Sequence, residues 1–479
     1  MRDITGEGRP SVWEFFQSSM DTGWGPRGNF AAALLFLSAV FAYLLIMSES
    51  HPMSGVIIVA GIVGAYMALN IGANDVANNM GPAVGSGSLS MGAALIIAAI
   101  FEAAGAIIAG GDVVATISKG IIAPKSFANA QVFVWAMLAS LISAAVWVNV
   151  ATMIGAPVST THAVVGGVAG AGIAASGFGA VDWHTMGKIA ASWVISPVMG
   201  GAIAALFLYA VKSTTLDRED RIAASRFWVP LFIAILAGVF AMYLGIKGLK
   251  HIWKPSLGMV FGLGAVSFIA ALVVSRWIIL RQSEGLKSKK KSVKMLFAVP
   301  LICGAALLSF AHGANDVANA IGPLAAIISA ATHAEIAREA QIPLWVMVVG
   351  ALGIAAGLLI YGRRLIKIVG QEITKMDQIR AFCVALSAAI TVLAASWLGL
   401  PVSSTHIAVG GIFGVGFLRE YLADRAKREA KALRKNKPPK RRLVRRRHLI
   451  SIAAAWVITV PAAGLIAGLT FLVLDTVFS

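Results

Sequence analysis

Charge is scarce in this chain, and what there is of it is one-sided. Of 479 residues only 13% are Asp, Glu, Lys or Arg, and Lys and Arg outnumber the acids 40 to 22. So little charge, with 58% hydrophobic residues and a mean hydropathy of +0.81, excludes a soluble globule. Cysteine is scarcer still. Cys303 and Cys383 both fall inside apolar runs, which excludes a disulfide scaffold and argues against a thiolate metal site. Strict alternation of apolar and polar residues is missing, so a membrane β-barrel is excluded as well. A cleavable leader is missing too: Met1 to Gly28 mixes Asp3, Glu7 and Glu14 with Trp13, Phe15 and Phe16, and reads as a tail.

What is present in quantity is long apolar sequence. Runs near 29–48, 53–84, 88–110, 131–175, 187–211, 227–247, 256–279, 296–326, 343–362, 379–418 and 449–475 are long enough to cross about 30 Å of hydrocarbon as helices. The chain reads as an all-α polytopic membrane protein. Its net charge of +18 is localised in two loops. Arg419 to Arg447 holds fourteen bases and three acids, and Arg281 to Lys294 holds six bases and Glu284. Basic loops beside membrane spans mark the cytoplasmic side, so no nucleic-acid partner is expected.

The sequence is also duplicated. Gly72-Ala73-Asn74-Asp75-Val76-Ala77-Asn78 recurs letter for letter from Gly313 to Asn319, 241 positions later. Pro157-Val158-Ser159-Thr160-Thr161-His162 recurs as Pro401-Val402-Ser403-Ser404-Thr405-His406, 244 positions later. Two motifs repeated in one order at nearly one offset mean an internal repeat.

Charge decides how the copies lie. The runs 131–175 and 379–418 are too long for one span, and each is interrupted by Gly-x-Pro-Val-Ser. If 379–418 made a net crossing, the strongly basic 419–447 segment would end up outside. A re-entrant hairpin keeps it inside, together with 281–294. Walking back gives the mirror image for 131–175. The expected architecture is an inverted-topology repeat with two re-entrant helical hairpins and about nine full transmembrane crossings. Residues 1–50 form a tail and an extra helix, and 51–211 form the first repeat. Residues 212–295 link it to the second repeat, 296–479, which carries the 419–447 insert. Lys247, Lys250 and Lys254 fall in a loop placed outside, against the rule.

On a helix Asn74, Asp75 and Asn78 share one face with Asn70 and Asn79, and Asn315, Asp316 and Asn319 repeat that patch. A carboxylate inside a bilayer costs several kcal/mol, so two at matched positions call for a cation or a partner. Interhelical hydrogen bonding is the simpler use of the asparagines. Gly72, Gly81, Pro82 and Gly85, with Gly313, Gly322 and Pro323, are expected to let these helices unwind locally and release carbonyls.

Each Pro-Val-Ser motif reads as a helix start with proline at the first position, offering free N–H groups and the positive dipole end. Ser159, Thr160, Thr161, Ser403, Ser404 and Thr405 add hydroxyl donors. Two such starts facing each other would clasp one tetrahedral oxyanion without a buried Lys or Arg. Plain helix capping is the competing use of these hydroxyls. His162 and His406 are accessory candidates that hydrogen-bond a cap or take a proton. Glu102 is an intramembrane acid without a counterpart near Gly353, expected to face a polar cavity or a partner subunit. Asp112 is expected to be solvated, and Trp193 and Trp456 to be packing or interface residues.

These motifs resemble those of the inorganic phosphate transporter (PiT) family, as does Phe101-Glu102-Ala103-Ala104-Gly105. The likeness covers about residues 51 to 475. It implies symport of phosphate with Na⁺ or H⁺, no cofactor, no enzymatic activity and a homodimer in the plasma (inner) membrane. Asp75, Asn78, Asp316 and Asn319 would hold the cation or substrate, with Na⁺ at Asp75 and Asp316. The six hydroxyl residues would surround phosphate. A sulfate carrier of the same family, an intramembrane aspartyl protease and a channel are the competing readings. The sequence leaves open both Na⁺ against H⁺ and phosphate against sulfate.

Overall fold

The computed structural model describes residues 25–48, 53–154, 158–248, 255–333, 342–368, 376–432 and 446–478. His51, Pro157, Lys250 and Lys254, and most of the 419–447 insert beyond Ala432, lie outside them, as does the side chain of Trp456.

The described chain is helical throughout. In order come α1 (Gly25–Ser48), α2 (Ser54–Gly85), α3 (Met91–Ala109), the short α4 (Gly111–Ala115), α5 (Ala130–Ile154), α6 (Thr160–Ser176), α7 (Trp183–Val211) and α8 (Arg221–Tyr243). They are followed by α9 (Leu257–Gln282), α10 (Lys290–Leu296), α11 (Ala298–His333), α12 (Leu344–Ile368), α13 (Gln378–Trp397), α14 (Ser404–Ala432) and α15 (Arg446–Phe478). Eleven helices among the described residues are long and apolar enough to cross a membrane, which makes this an all-α polytopic membrane protein. The two over-long runs are indeed split, α5 from α6 and α13 from α14, at the Pro-Val-Ser motifs.

Backbone hydrogen bonds explain the helices, and glycines explain how they pack. Lipid offers no hydrophobic drive between helices, so close contact depends on residues small enough to let backbones touch. A Cβ on Gly72 of α2 would sit 2.0 Å from Ile354 O of α12, and one on Gly313 of α11 would sit 2.0 Å from Glu102 O of α3. The same exchange recurs among the later helices. Gly170 of α6 meets Gly464 O of α15, and Gly414 of α14 meets Gly201 O of α7, at 2.2 and 2.0 Å from the added carbon. Duplicated glycines thus make matching contacts, each on a helix from the other half.

The remaining helices are peripheral. Helix α1 seats Leu44 against Gly61 of α2 and sets the Tyr43 ring tilted against that of Trp345, 6.0 Å away. Helices α8 and α9 pair through Gly238 and Gly264, and α8 meets α11 where Phe240 and Tyr243 pack edge-on against Phe310. Their outer faces expose Phe227, Ile235, Phe261, Val266 and Val273 as a lipid-facing surface would.

Two expectations are corrected at this level. Helices α2 and α11 run unbroken through Gly72 and Gly313 to Gly85 and His333, so the glycines serve close packing and not local unwinding. Asp112 is only half exposed and pairs with Lys247, which also donates to Trp397 O. That pairing offsets the Lys247 charge that stood against the positive-inside rule.

Candidate functional site

The motif helices α2 and α11 meet the starts of α6 and α14, and their polar side chains converge there. Asp75, Asn79, Ser159, Thr160, Thr161, His162, Asn315, Asp316, Asn319, Ser403, Ser404 and His406 are each at most 4% exposed. Asn74, Asn78 and Thr405 are half-buried beside them.

Each helix start is built by its serine. Ser159 precedes α6 with extended backbone, and its Oγ accepts from His162 N at 3.2 Å. Ser403 does the same for α14, accepting from His406 N at 3.4 Å. The capping use of these two serines is therefore real. Pro401 is not at a first helical position: α14 begins at Ser404, and Pro401 lies two residues before its cap, while Pro157 lies outside the described residues. The next hydroxyls point elsewhere. Thr160 donates to Asp75 Oδ2 at 3.2 Å, Ser404 donates to Asp316 Oδ2 at 3.1 Å, and Thr405 donates to Asp75 Oδ1 at 3.4 Å.

The asparagines complete the lattice. Asn78 Nδ2 donates to Thr405 Oγ1 at 2.8 Å, and Asn319 Nδ2 donates to Thr161 Oγ1 at 3.1 Å and to Thr160 Oγ1 at 3.3 Å. Motif helix and helix start are thus stitched crosswise between the halves. Asn74 donates to its neighbour Asp75 at 3.1 Å. Asn315 points away from the lattice: it donates to Ser396 Oγ at 3.0 Å and Leu400 O at 3.1 Å, and accepts from Val402 N at 3.2 Å. It fixes the turn before α14, as interhelical glue. The two starts also touch directly, with Thr161 Oγ1 donating to Val402 O at 3.1 Å.

The accessory histidines sit behind the hydroxyls. His162 Nδ1 is 2.7 Å from Ser159 Oγ, and its ring lies 4.7 Å from that of His406. Trp193 does more than pack. Its indole stacks on His162 at 3.8 Å and donates to Pro401 O at 3.0 Å, bridging both starts.

One residue was missed. His312, immediately before the second motif, is fully buried with Nε2 at 2.8 Å from Asp316 Oδ2 and 3.8 Å from Asp75 Oδ2. Its Nδ1 is 3.2 Å from Glu102 Oε2, and Glu102 Oε1 accepts from Asn79 Nδ2 at 2.8 Å. Glu102 therefore faces residues of its own chain and not a partner subunit. The signal was available: Ala311-His312-Gly313 puts an imidazole one helical turn before Asp316, where the first copy has Ile71 before Asp75.

The chemistry of this set is clear. Ligating atoms of Asp75, His312 and Asp316 lie within 4.8 Å of one another. Asp316 Oδ1 and Asn319 Oδ1 are buried with no hydrogen-bond donor, a costly state that a cation relieves. Among the described residues no Lys or Arg pairs with Asp75, Glu102 or Asp316. Hard oxygen donors suit a hard cation. The neighbouring hydroxyls, amides and helix starts suit an oxyanion.

Known proteins are similar to this chain. Two curated relatives carry the name "Putative phosphate permease". One, from Helicobacter pylori (strain J99), is 51% identical over 409 residues, covering 85% of this chain and 77% of the relative. The other, from Pyrococcus abyssi, is 38% identical over 415 residues, covering 86% and 96%. A solved structure titled "The sodium-dependent phosphate transporter" superposes with a TM-score of 0.81 at 33% identity, covering 88% of this chain and all of that one. A family of transporters fits a protein that is not an enzyme. Residues 71–467, spanning both Gly-Ala-Asn-Asp motifs and both helix starts, match the sequence profile of the phosphate transporter family, and the chain belongs to that family.

Proposed function

We propose that this protein imports inorganic phosphate by symport with a cation, working by alternating access. Asp75 and Asp316 are the cation stations, with Asn74, Asn78 and Asn319 around them. Thr160, Thr161, Ser404 and Thr405 present hydroxyls to phosphate, while Ser159 and Ser403 hold the helix starts whose N–H groups face the anion. Asn315, His162 and His406 shape the two starts from behind.

One observation carries this reading. The Asp75 carboxylate accepts hydroxyls from both helix starts, Thr160 and Thr405. Without a cation, the donors an anion needs are engaged by a carboxylate that repels it. A cation on the carboxylate oxygens offsets that charge and releases the hydroxyls. Cation and anion therefore favour each other's binding, and the coupling is reciprocal. Phosphate entering a negative interior works against about 2.3 kcal/mol per charge per 100 mV, which cotransported cations offset.

Na⁺ is the favoured coupling ion, supported by the oxygen-rich stations and by the sodium dependence in the solved relative's title. H⁺ remains the other ion in the test. The matched glycine contacts and split runs support an inverted repeat with two re-entrant hairpins and about nine crossings. The repeats span 51–211 and 296–479, joined through 212–295 and preceded by the extra helix within 1–50. On that topology the basic segments 281–294 and 419–447 are cytoplasmic, in the plasma (inner) membrane, and the unit works as a homodimer.

The test is uptake of radiolabelled phosphate into proteoliposomes under imposed Na⁺ or pH gradients, with sulfate as competitor. Cation-driven accumulation blocked by excess phosphate but not by sulfate supports the reading. Uptake indifferent to both gradients, or step currents through single molecules, overturns it.

A further inference from the structure

The duplication is broken in one place, beside the site. Shifting by 241 positions sets Ile71 against His312 and Ala320 against Asn79. The backbone contacts set Ile354 against Glu102, because Gly72 meets Ile354 O as Gly313 meets Glu102 O. Three buried polar residues where α2, α3 and α11 meet, Asn79, Glu102 and His312, thus correspond to three apolar residues on α11, α12 and α2, Ala320, Ile354 and Ile71.

The polar three form a chain whose imidazole end sits closer to one aspartate, 2.8 Å from Asp316 against 3.8 Å from Asp75. Asn79 donates to Glu102 at 2.8 Å, Glu102 lies 3.2 Å from His312 Nδ1, and His312 Nε2 lies 2.8 Å from Asp316. Asn79, Glu102 and His312 are each at most 1% exposed. Buried polar chains are costly, and packing does not require this one, since the other half fills the corresponding positions with Ile and Ala. Asp316 is backed one turn earlier by an imidazole whose far nitrogen lies against a carboxylate. Asp75 has Ile71 one turn earlier and takes hydroxyls from both helix starts, whereas Asp316 takes one, from Ser404. An imidazole held from its far nitrogen keeps one orientation, and that orientation sets the near nitrogen against its carboxylate.

We propose that Glu102 is a positioning residue that acts through His312 on Asp316, making the two cation stations inequivalent. The Asp316 station is preset by the buried chain, whereas the Asp75 station is set by the groups that meet the anion. Glu102 therefore tunes the response to the cation and leaves the anion cradle alone. This rests on the cation-station reading above.

The experiment compares wild type, Glu102→Gln, His312→Gln and the double variant in proteoliposomes. It measures half-saturation by Na⁺, half-saturation by phosphate at saturating Na⁺, and the Na⁺-induced rise in melting temperature in detergent. Glu102→Gln is expected to raise Na⁺ half-saturation about tenfold while phosphate half-saturation moves less than about twofold. On the His312→Gln background, Glu102→Gln is expected to add less than about twofold, because it acts through the imidazole. An equal effect on both backgrounds overturns the proposal, as does a phosphate effect as large as the Na⁺ effect.

Should Glu102→Gln not fold, the triple variant Asn79→Ala, Glu102→Ile, His312→Ile serves in its place. It installs side chains that the other half already packs, and the Na⁺-induced rise in its melting temperature is expected to shrink. A rise equal to wild type overturns the inference. Wild type driven by Na⁺ beside variants with unchanged Na⁺ dependence sinks the inference and spares the transport reading. Wild type that takes up no phosphate with any cation sinks both.

Discussion

The hydroxyl of Thr160, the first residue of α6, donates to Asp75 Oδ2 of α2 across 3.2 Å. These residues are 85 apart in sequence, and the bond ties a helix start to a motif helix at the buried centre of the protein. On the reading above it is where cation and anion compete for the same groups.

Neutralising either aspartate removes a charged hydrogen-bond acceptor worth about 1.5–3 kcal/mol, or roughly 10- to 150-fold in affinity. Asp75→Asn and Asp316→Asn are therefore expected to abolish cation-driven phosphate uptake while the protein still folds. Asp75→Asn should also weaken phosphate binding directly, because an amide can donate to Thr160 and Thr405 but holds no cation. Full cation-dependent uptake in either variant would contradict the assigned role.

Thr405→Val deletes a hydroxyl that receives Asn78 Nδ2 at 2.8 Å and reaches Asp75 at 3.4 Å. It leaves a half-buried amide without its acceptor, at up to about 1–3 kcal/mol. Phosphate half-saturation is expected to rise about tenfold or more, and Thr405→Ser should recover most of it. Uptake kinetics of the Val and Ser variants side by side decide the matter. Equal values for both would contradict the role assigned to the hydroxyl.

Gly72→Ala and Gly313→Ala force a carbon to 2.0 Å from Ile354 O and Glu102 O, against backbone that cannot step aside. Both are expected to lower thermal stability in detergent by similar amounts, of the 1–3 kcal/mol order typical of overpacking. Gly92→Ala in the first turn of α3 meets nothing within 4 Å, and should be neutral or gain up to about 1 kcal/mol from helix propensity. A tolerated Gly313→Ala would mean that the helices are not packed this closely.

Outside the spans, Asp377 caps α13 by accepting from Arg380 N at 3.1 Å, and it pairs with Arg380 and with Lys294 Nζ at 3.0 Å. Burial alone would raise its carboxyl, but the bonds and charge of Arg380 and the bond from Lys294 outweigh that and hold it below the usual 3.8. A carboxyl depressed by folding adds stability that is present above the unfolded value and lost as pH falls through the folded one. Asp377→Ala is expected to cost about 0.5–2 kcal/mol at neutral pH, as lost caps do. The gap between variant and wild type should close below pH 4 in thermal melts, and a gap that persists there would rule this out.

Much of the architecture was legible because the membrane imposes strong rules on sequence. Apolar length revealed the helices, and the breaks in the two over-long runs fell at the Pro-Val-Ser motifs. Two aspartates and six hydroxyls stood out because polar residues at matched positions in a bilayer are too costly to be idle. Glycine misled: in α2 and α11 a residue that permits unwinding was used for close approach, and only the neighbouring helix distinguishes the two uses.

The amino-acid order by itself determined that this chain is helical, membrane-spanning and duplicated, since hydrocarbon demands internal backbone pairing and a repeat is visible as text. Tertiary structure decided what the duplicated parts do to one another. It turned Asn315 toward the turn before α14, set Thr405 beside Asp75 across the two halves, and drew Glu102 and His312 into a chain ending on Asp316. Those outcomes depend on which helix lies against which, and residues hundreds of positions apart carry no mark of their meeting.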